Sequence, residues 1–315
     1  MNEFQLIGAI TRGLAQGADV LLGPGDDAAQ LRVRSGSVLA STDILVEGVH
    51  FRSSWTSPYA LGRRAAAQNF ADITAMGAQP TALLVAVAAP RGTSESWFTE
   101  LARGLQDECD LVGASVIGGD LSAGGALVVS VAVLGDAGDG EPVTRGGARV
   151  GDLVAVAGRL GWSATGLAAL SQGIEVDPVL LAAYRAPEPP YTAGPRARAA
   201  GATAMIDVSD GLLADAGHIA DASGVTIAIE GALLVPDDEV VRGSAALGVD
   251  PLEAVLTGGE DHSILATFPV RADDPTSPQV PVPFRIIGRV GARGEHAVLL
   301  DGAPHSGRQG HDHFG

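Results

Sequence analysis

Residues 57–88, SPYALGRRAAAQNFADITAMGAQPTALLVAVA, carry a helix and a buried strand back to back, and they set the expected class of the fold. Ser57 stands as N-cap and Pro58 at the first helical position, apolar side chains recur at Ala65, Phe70 and Ile73, and Gly77 followed by Pro80 closes the segment. The apolar run 82–88 then reads as a strand, being too short for a helix of its own. Outward from this pair, residues 38–42 and 126–134 also read as strands and residues 94–111 as an amphipathic helix. The first half is therefore expected to be an α/β or α+β unit.

The glycine-rich connector TRGGARVGD (144–152) precedes a new strand at 153–157, and the boundary between two domains is expected there, giving 1–146 and 147–315. Beyond it come a Gly-rich turn at 158–166, a helix to Gly173, a proline-laden stretch at 187–195, and a helix from Leu212 to about Ser223. Residues 272–283 hold four prolines and few apolar side chains, which reads as an exposed loop.

Composition narrows the chemistry. The 315 residues are 46% hydrophobic and 18% charged, enough for a substantial core. All 20 basic residues are arginine, so a Walker A lysine or a protein-kinase strand lysine is excluded. The formal charge of −17 works against nucleic acid and anionic membrane surfaces as partners, because their phosphates are gripped by basic patches. No apolar stretch approaches the ~20 residues of a bilayer span, and the N-terminal MNEFQLIGAI lacks the pattern of a secretory signal. The expected location is cytoplasmic. The single cysteine, Cys109, falls in the helix at 94–111, where packing is its expected role.

Six acidic clusters fall at loops or element ends: Gly25-Asp26-Asp27, Ser41-Thr42-Asp43, Asp72 within NFADITAMG, Gly118-Gly119-Asp120, Asp207-Val208-Ser209-Asp210-Gly211, and Gly258-Gly259-Glu260-Asp261-His262. Each alone reads as well as a turn, a cap or a solvated acid. Asp72 lies in the last turns of its helix, where the macrodipole calls for a cation beside it. Capping at the start of the helix from Leu212 accounts for Ser209 or Asp210, but not for both carboxylates and the hydroxyl. His50 alone reads as a packing residue. Carboxylates gathered within ~4–6 Å need compensating cations. In a chain without lysine, divalent metal can supply them, and the same ions would bridge carboxylates to a nucleotide's phosphates.

Taken together and in order, GPGDDAA, STDILVEGVHF, NFADITAMGA, IGGD, TRGGARVGD, DVSDGLLADAGHIA, GGED and GHDHF resemble the thiamine-monophosphate kinase family, of the superfamily that also holds aminoimidazole ribonucleotide synthetase. The resemblance implies a two-domain α/β (α+β) fold of that superfamily, with mixed sheets flanked by helices. It also implies ATP-dependent phosphorylation of thiamine monophosphate to thiamine diphosphate by direct in-line transfer within a cluster of Mg²⁺ ions. By motif, Asp27, Ser41, Thr42, Asp43, Asp72, Asp120, Asp207 and Asp210 would hold the metals. Gly119, Asp120, Arg145 and Ser209 would contact ATP, while His50 and Glu260 would face the thiamine phosphate. His311 stands where the family has an aromatic that stacks on the substrate ring. A homodimer paired through the first domains is implied as well. Two rival readings are a non-catalytic nucleotide- or metal-sensing protein and another ATP-dependent synthetase of the superfamily.

Overall fold

The computed structural model describes residues 3–25, 28–270 and 280–310. The chain forms two compact units, one of Met1–Ile73 with Ala78–Gly140 and the other of Thr74–Gly77 with Glu141–Gly315.

The first unit contains α1 (Glu3–Thr11), a short antiparallel pair β1 (Val20–Leu22) and β2 (Gln30–Leu31), then β3 (Leu39–Val46), α2 (Pro58–Ala75), β4 (Gln79–Ala89), α3 (Glu95–Val112), β5 (Ser115–Ala123) and β6 (Val128–Asp136). The last four of its strands form one sheet in the order β3-β6-β4-β5, with β4 and β5 parallel and the other pairs antiparallel. A parallel pair needs a crossover, which α3 provides. Local chemistry sets the helix ends as expected. The Ser57 hydroxyl accepts the Ala60 N–H at 3.2 Å at the start of α2. Ser94 accepts the Trp97 N–H, and Gly113, at φ 73°, closes α3 in the left-handed conformation.

Strand alternation sorts this sheet into two faces. Leu45, Val131, Val129, Val85 and Leu83 are buried on one, where α3 lies against β4 and β5 and Ile73 of α2 reaches Gly135 of β6. Thr42, Ile44, Leu84 and Ala86 point to the other and are exposed. Cys109 is fully buried in α3, and burial pushes its thiol well above the usual range, as befits a packing residue.

The second unit contains β7 (Leu153–Ala157), α4 (Trp162–Gln172), α5 (Pro178–Arg185), α6 (Ala193–Ala199), β8 (Ala204–Val208), α7 (Leu212–Ser223), β9 (Val225–Ile229), α8 (Asp238–Leu247), α9 (Pro251–Thr257), β10 (Ser263–Phe268), β11 (Arg285–Ala292) and β12 (Val298–Leu300). Its strands run β12-β9-β11-β7-β10-β8, all antiparallel except the β12/β9 pair. Every residue of β7, β8 and β10 is buried. Alternation explains why these strands are apolar throughout: Val154, Val156, Ile206 and Val208 join a core with Leu212, Leu213, Ala216 and Ile219 of α7. Ala155, Ala157, Met205 and Ile264 join a second core with Ala193 and Ala197 of α6. With helices on both faces, polar positions survive only at strand ends.

Candidate functional site

In the first unit, Ser41 and Asp43 share one side of β3 and Thr42 takes the other. The Ser41 hydroxyl donates to Asp72 Oδ2 at 2.6 Å, which joins the strand to the last turns of α2. Two residues 31 apart in sequence thus form one oxygen cluster on the helix-covered face, with Asp43 two residues along. Thr42 donates its hydroxyl to the Val131 carbonyl at 2.9 Å.

Asp120 lies on β5, at the opposite edge of the sheet, in register with Ala86 of β4. Three strand spacings, about 14 Å, separate β5 from β3, so Asp120 does not join the Ser41–Asp72 pair. It does line, with Thr42, Gly118 and Gly119, a cavity of about 680 Å³ whose other walls include Leu84 and Phe98. The strand runs through the paired glycines rather than ending at them, and a Cβ on Gly119 would collide with the Val85 carbonyl of β4. Strand packing alone therefore requires glycine at 119.

Just beyond β3, His50 Nδ1 accepts the Val46 N–H at 3.0 Å, and Glu47 Oε1 accepts the Ser53 hydroxyl at 2.5 Å. Both bonds shape the short EGVHF turn. Asp27 lies outside the described residues, as does His311.

In the second unit the DVSDG and GGEDH segments are laced together. The Glu260 N–H donates to the Ser209 carbonyl at 2.8 Å, and the His262 N–H to the Val208 carbonyl at 2.9 Å. Gly259 packs so closely on the Ser209 carbonyl that a side chain there would collide with it. Asp207, buried at the end of β8, has Oδ2 3.1 Å from His262 Nδ1. Burial works against charge on that imidazole, but the carboxylates of Asp207 and Glu260 on either side outweigh it, and the pKa is pushed up to about 10. Arg145 is exposed on the connector, its carbonyl accepting the Ser223 hydroxyl at 3.2 Å. The described chain ends beside this site, where the Gln309 carbonyl accepts the Ala214 N–H at 3.1 Å.

The turn before α7 is capped from inside the helix. Asp215 Oδ2 accepts the N–H groups of Ser209, Asp210 and Gly211, each at 3.1 Å. Neither Ser209 nor Asp210 serves as the N-cap; that position is Gly211, with no side-chain cap bond. Both are half-buried with their side chains left for other work. Burial first, and then the Asp207 carboxylate, push Asp215 up to about 7 against the pull of the backbone N–H groups. Asp210, Asp215 and His218 offer ligand atoms within 4.8 Å of one another. Such crowding of carboxylates is relieved by a cation, and the oxygen donors suit a hard one such as Mg²⁺.

Asp261 faces the other way. Its carboxylate accepts the Gly161 N–H at 2.5 Å and the Ser163 N–H at 2.8 Å at the start of α4. Burial pushes it from 3.8 up to about 7, so the folded chain holds this proton more tightly than the unfolded chain. Its contribution to stability is greatest below about pH 4 and is lost as pH rises through about 7. Asp261→Asn removes that titration. In Mg²⁺-free buffer, the gap in unfolding free energy between wild type and variant is expected to shrink from pH 5 to pH 7; a constant or widening gap contradicts the assignment.

Known proteins resemble this chain in sequence and in fold. The family described as "AIR synthase related protein, N-terminal domain" matches residues 25–137. A thiamine-monophosphate kinase of Mycobacterium tuberculosis is 46% identical over 316 residues, covering 100% of this chain and 92% of that one. This chain belongs to the thiamine-monophosphate kinase family. The Corynebacterium glutamicum thiamine-monophosphate kinase is 39% identical over 96% of this chain and 90% of its own length. Among solved structures, the thiamine-monophosphate kinase of Stenotrophomonas maltophilia K279a superposes with a TM-score of 0.82 at 32% identity, covering 96% of this chain and 98% of that one. AaThiL complexed with AMPPCP and TMP gives 0.79 at 32% identity, over 98% and 97% of the two chains. The hydrogenase maturation protein HypE, 18% identical at a TM-score of 0.74, shares the fold.

In this member of the thiamine-monophosphate kinase family, Asp215 and His218 belong to the site without being singled out from the sequence, and Asp261 and His262 are named there only as members of the GGEDH cluster. Asp215 and His218 lie in DVSDGLLADAGH, three residues apart on one face of α7, a spacing that could have flagged them. Asp261 and His262 carry no such signal, because their partners lie 98 and 55 residues away.

Proposed function

We infer that this chain transfers the γ-phosphoryl group of ATP to the phosphate of thiamine monophosphate, giving thiamine diphosphate and ADP. The observation that supports this reading is kinship along the chain: a thiamine-monophosphate kinase matches 100% of it, and a solved structure with AMPPCP and TMP matches 98% of it. The accepting phosphate oxygen is already an anion near neutral pH, so no general base is required, and positioning and charge neutralisation account for the acceleration.

The donor set fits divalent metal, as the crowding of Asp207, Asp210 and Asp215 argues. Ser41, Thr42, Asp43, Asp72 and Asp120 in the first unit, Asp207 and Asp210 in the second, and Asp27 would hold Mg²⁺. When bound, Mg²⁺ supplies the positive charge that neutralises the triphosphate during transfer. Gly119, Asp120, Arg145 and Ser209 would contact ATP. Arg145, exposed and permanently cationic, is suited to offset phosphate charge. His50, whose Nδ1 accepts the Val46 N–H, would face the thiamine phosphate. Glu260, with its side chain 38% exposed, would accept from the substrate, and His311, outside the described residues, would stack on it. ATP would be bound mainly by residues 1–146, which would also pair a homodimer, with the enzyme at work in the cytoplasm.

Incubation with ATP, Mg²⁺ and thiamine monophosphate is expected to yield thiamine diphosphate and ADP in equal amounts. Activity should vanish with EDTA and return with added Mg²⁺. ATP binding without thiamine diphosphate formation would overturn the reading.

A further inference from the structure

The GGEDH segment does more than present Glu260. His262 is 5% exposed, and both of its ring nitrogens face carboxylates: Nδ1 lies 3.1 Å from Asp207 Oδ2, and Nε2 lies 3.8 Å from Glu260 Oε2. Among the described residues Nε2 is buried with no hydrogen-bond partner. A buried ring nitrogen left in that state is costly, and a small shift of Glu260 would satisfy it. The backbone holds the ring for this purpose. Glu260 and His262 both take left-handed conformations, at φ 66° and 51°, which non-glycine residues adopt only when their surroundings impose them. The surroundings here are the two backbone hydrogen bonds to Ser209 and Val208 and the close seat of Gly259.

We propose that His262 is a positioning residue that ties Asp207 to Glu260 through its two ring nitrogens, so that the carboxylate at the end of β8 and the carboxylate facing the substrate move as one. The proposal rests on the reading of Asp207 as a metal-holding group and Glu260 as a substrate-facing group. Its consequence is that occupation of one half of the second unit's site sets the geometry of the other. A ring that merely filled space would need neither nitrogen.

Three variants separate these roles. His262→Asn places a donor where Nδ1 stands and removes the far side of the ring. His262→Phe keeps the ring and removes both nitrogens. Glu260→Gln removes the outer charge. His262→Asn should keep Mg²⁺ half-activation close to wild type while raising KM for thiamine monophosphate about tenfold, because Glu260 loses the charged contact that positions it. His262→Phe should raise both. In the Glu260→Gln background, His262→Asn should add less than about twofold, because the partner is already altered. Mg²⁺ binding by calorimetry, on protein shown by thermal melting to be folded, reads the Asp207 side without turnover: it should weaken in His262→Phe and hold in His262→Asn. Unchanged Mg²⁺ binding in folded His262→Phe, or full additivity of the His262 and Glu260 changes, overturns the proposal. Failure of wild type to phosphorylate thiamine monophosphate overturns the functional reading instead, since the calorimetric arm is independent of it.

Discussion

Asp72→Asn and Asp120→Asn are each expected to lower kcat by about 10²–10³-fold, the scale set by removing one preorganised electrostatic group from a transition state. The two differ in setting, which makes the pair informative. Asp72 accepts the Ser41 hydroxyl at 2.6 Å and sits in the last turns of α2, where the helix dipole opposes an anion. An asparagine oxygen can still accept the Ser41 hydroxyl, so the variant should stay folded. Asp120 is exposed on an edge strand, lining the cavity of the first unit, and its loss should scarcely alter the melting temperature. Turnover at saturating Mg²⁺ and thermal melting decide the matter. Near-normal rates in both variants would remove the metal role from these positions, whereas slow turnover with a collapsed melting temperature would make the role structural.

The second large effect is expected from Asp215→Ala. That change strips the acceptor from three N–H groups in a buried turn, and unsatisfied buried donors cost about 1–3 kcal/mol each. Partial rehydration of the opened turn recovers some of this, so a loss of about 3–6 kcal/mol is expected, equivalent to a melting temperature lower by on the order of 10 °C. Because the turn carries Ser209 and Asp210, activity should fall with it. Asp215→Asn keeps an acceptor oxygen and removes a carboxylate already raised to about 7 by burial, so it should be far milder. Equal destabilisation by Ala and Asn would show that the charge, rather than the acceptor geometry, holds the turn.

Much of the fold is legible along the chain because its determinants are local. The N-caps at Ser57 and Ser94 and the closing glycines at 77 and 113 bound α2 and α3 within a residue or two of expectation. The runs at 153–157 and 212–223 coincide with β7 and α7. Other elements show less: α5, α6, α8 and α9 are short, and proline-rich or polar sequence around them masks their periodicity. At IGGD the paired glycines read as a strand end, whereas β5 continues through them, because the neighbouring β4 backbone needs the space.

By itself, the sequence determined which residue types can meet anions and metal here, with arginine and acids but no lysine, and it determined where α2, α3 and α7 begin and end. Tertiary structure alone decided which acids meet. Ser41 and Thr42 are adjacent in sequence yet face opposite sides of a sheet, because a strand turns alternate side chains to opposite faces. Asp207 and His262 are 55 residues apart yet 3.1 Å from each other, because β8 and β10 pair in one register, and register depends on the packing of the whole sheet rather than on any local signal.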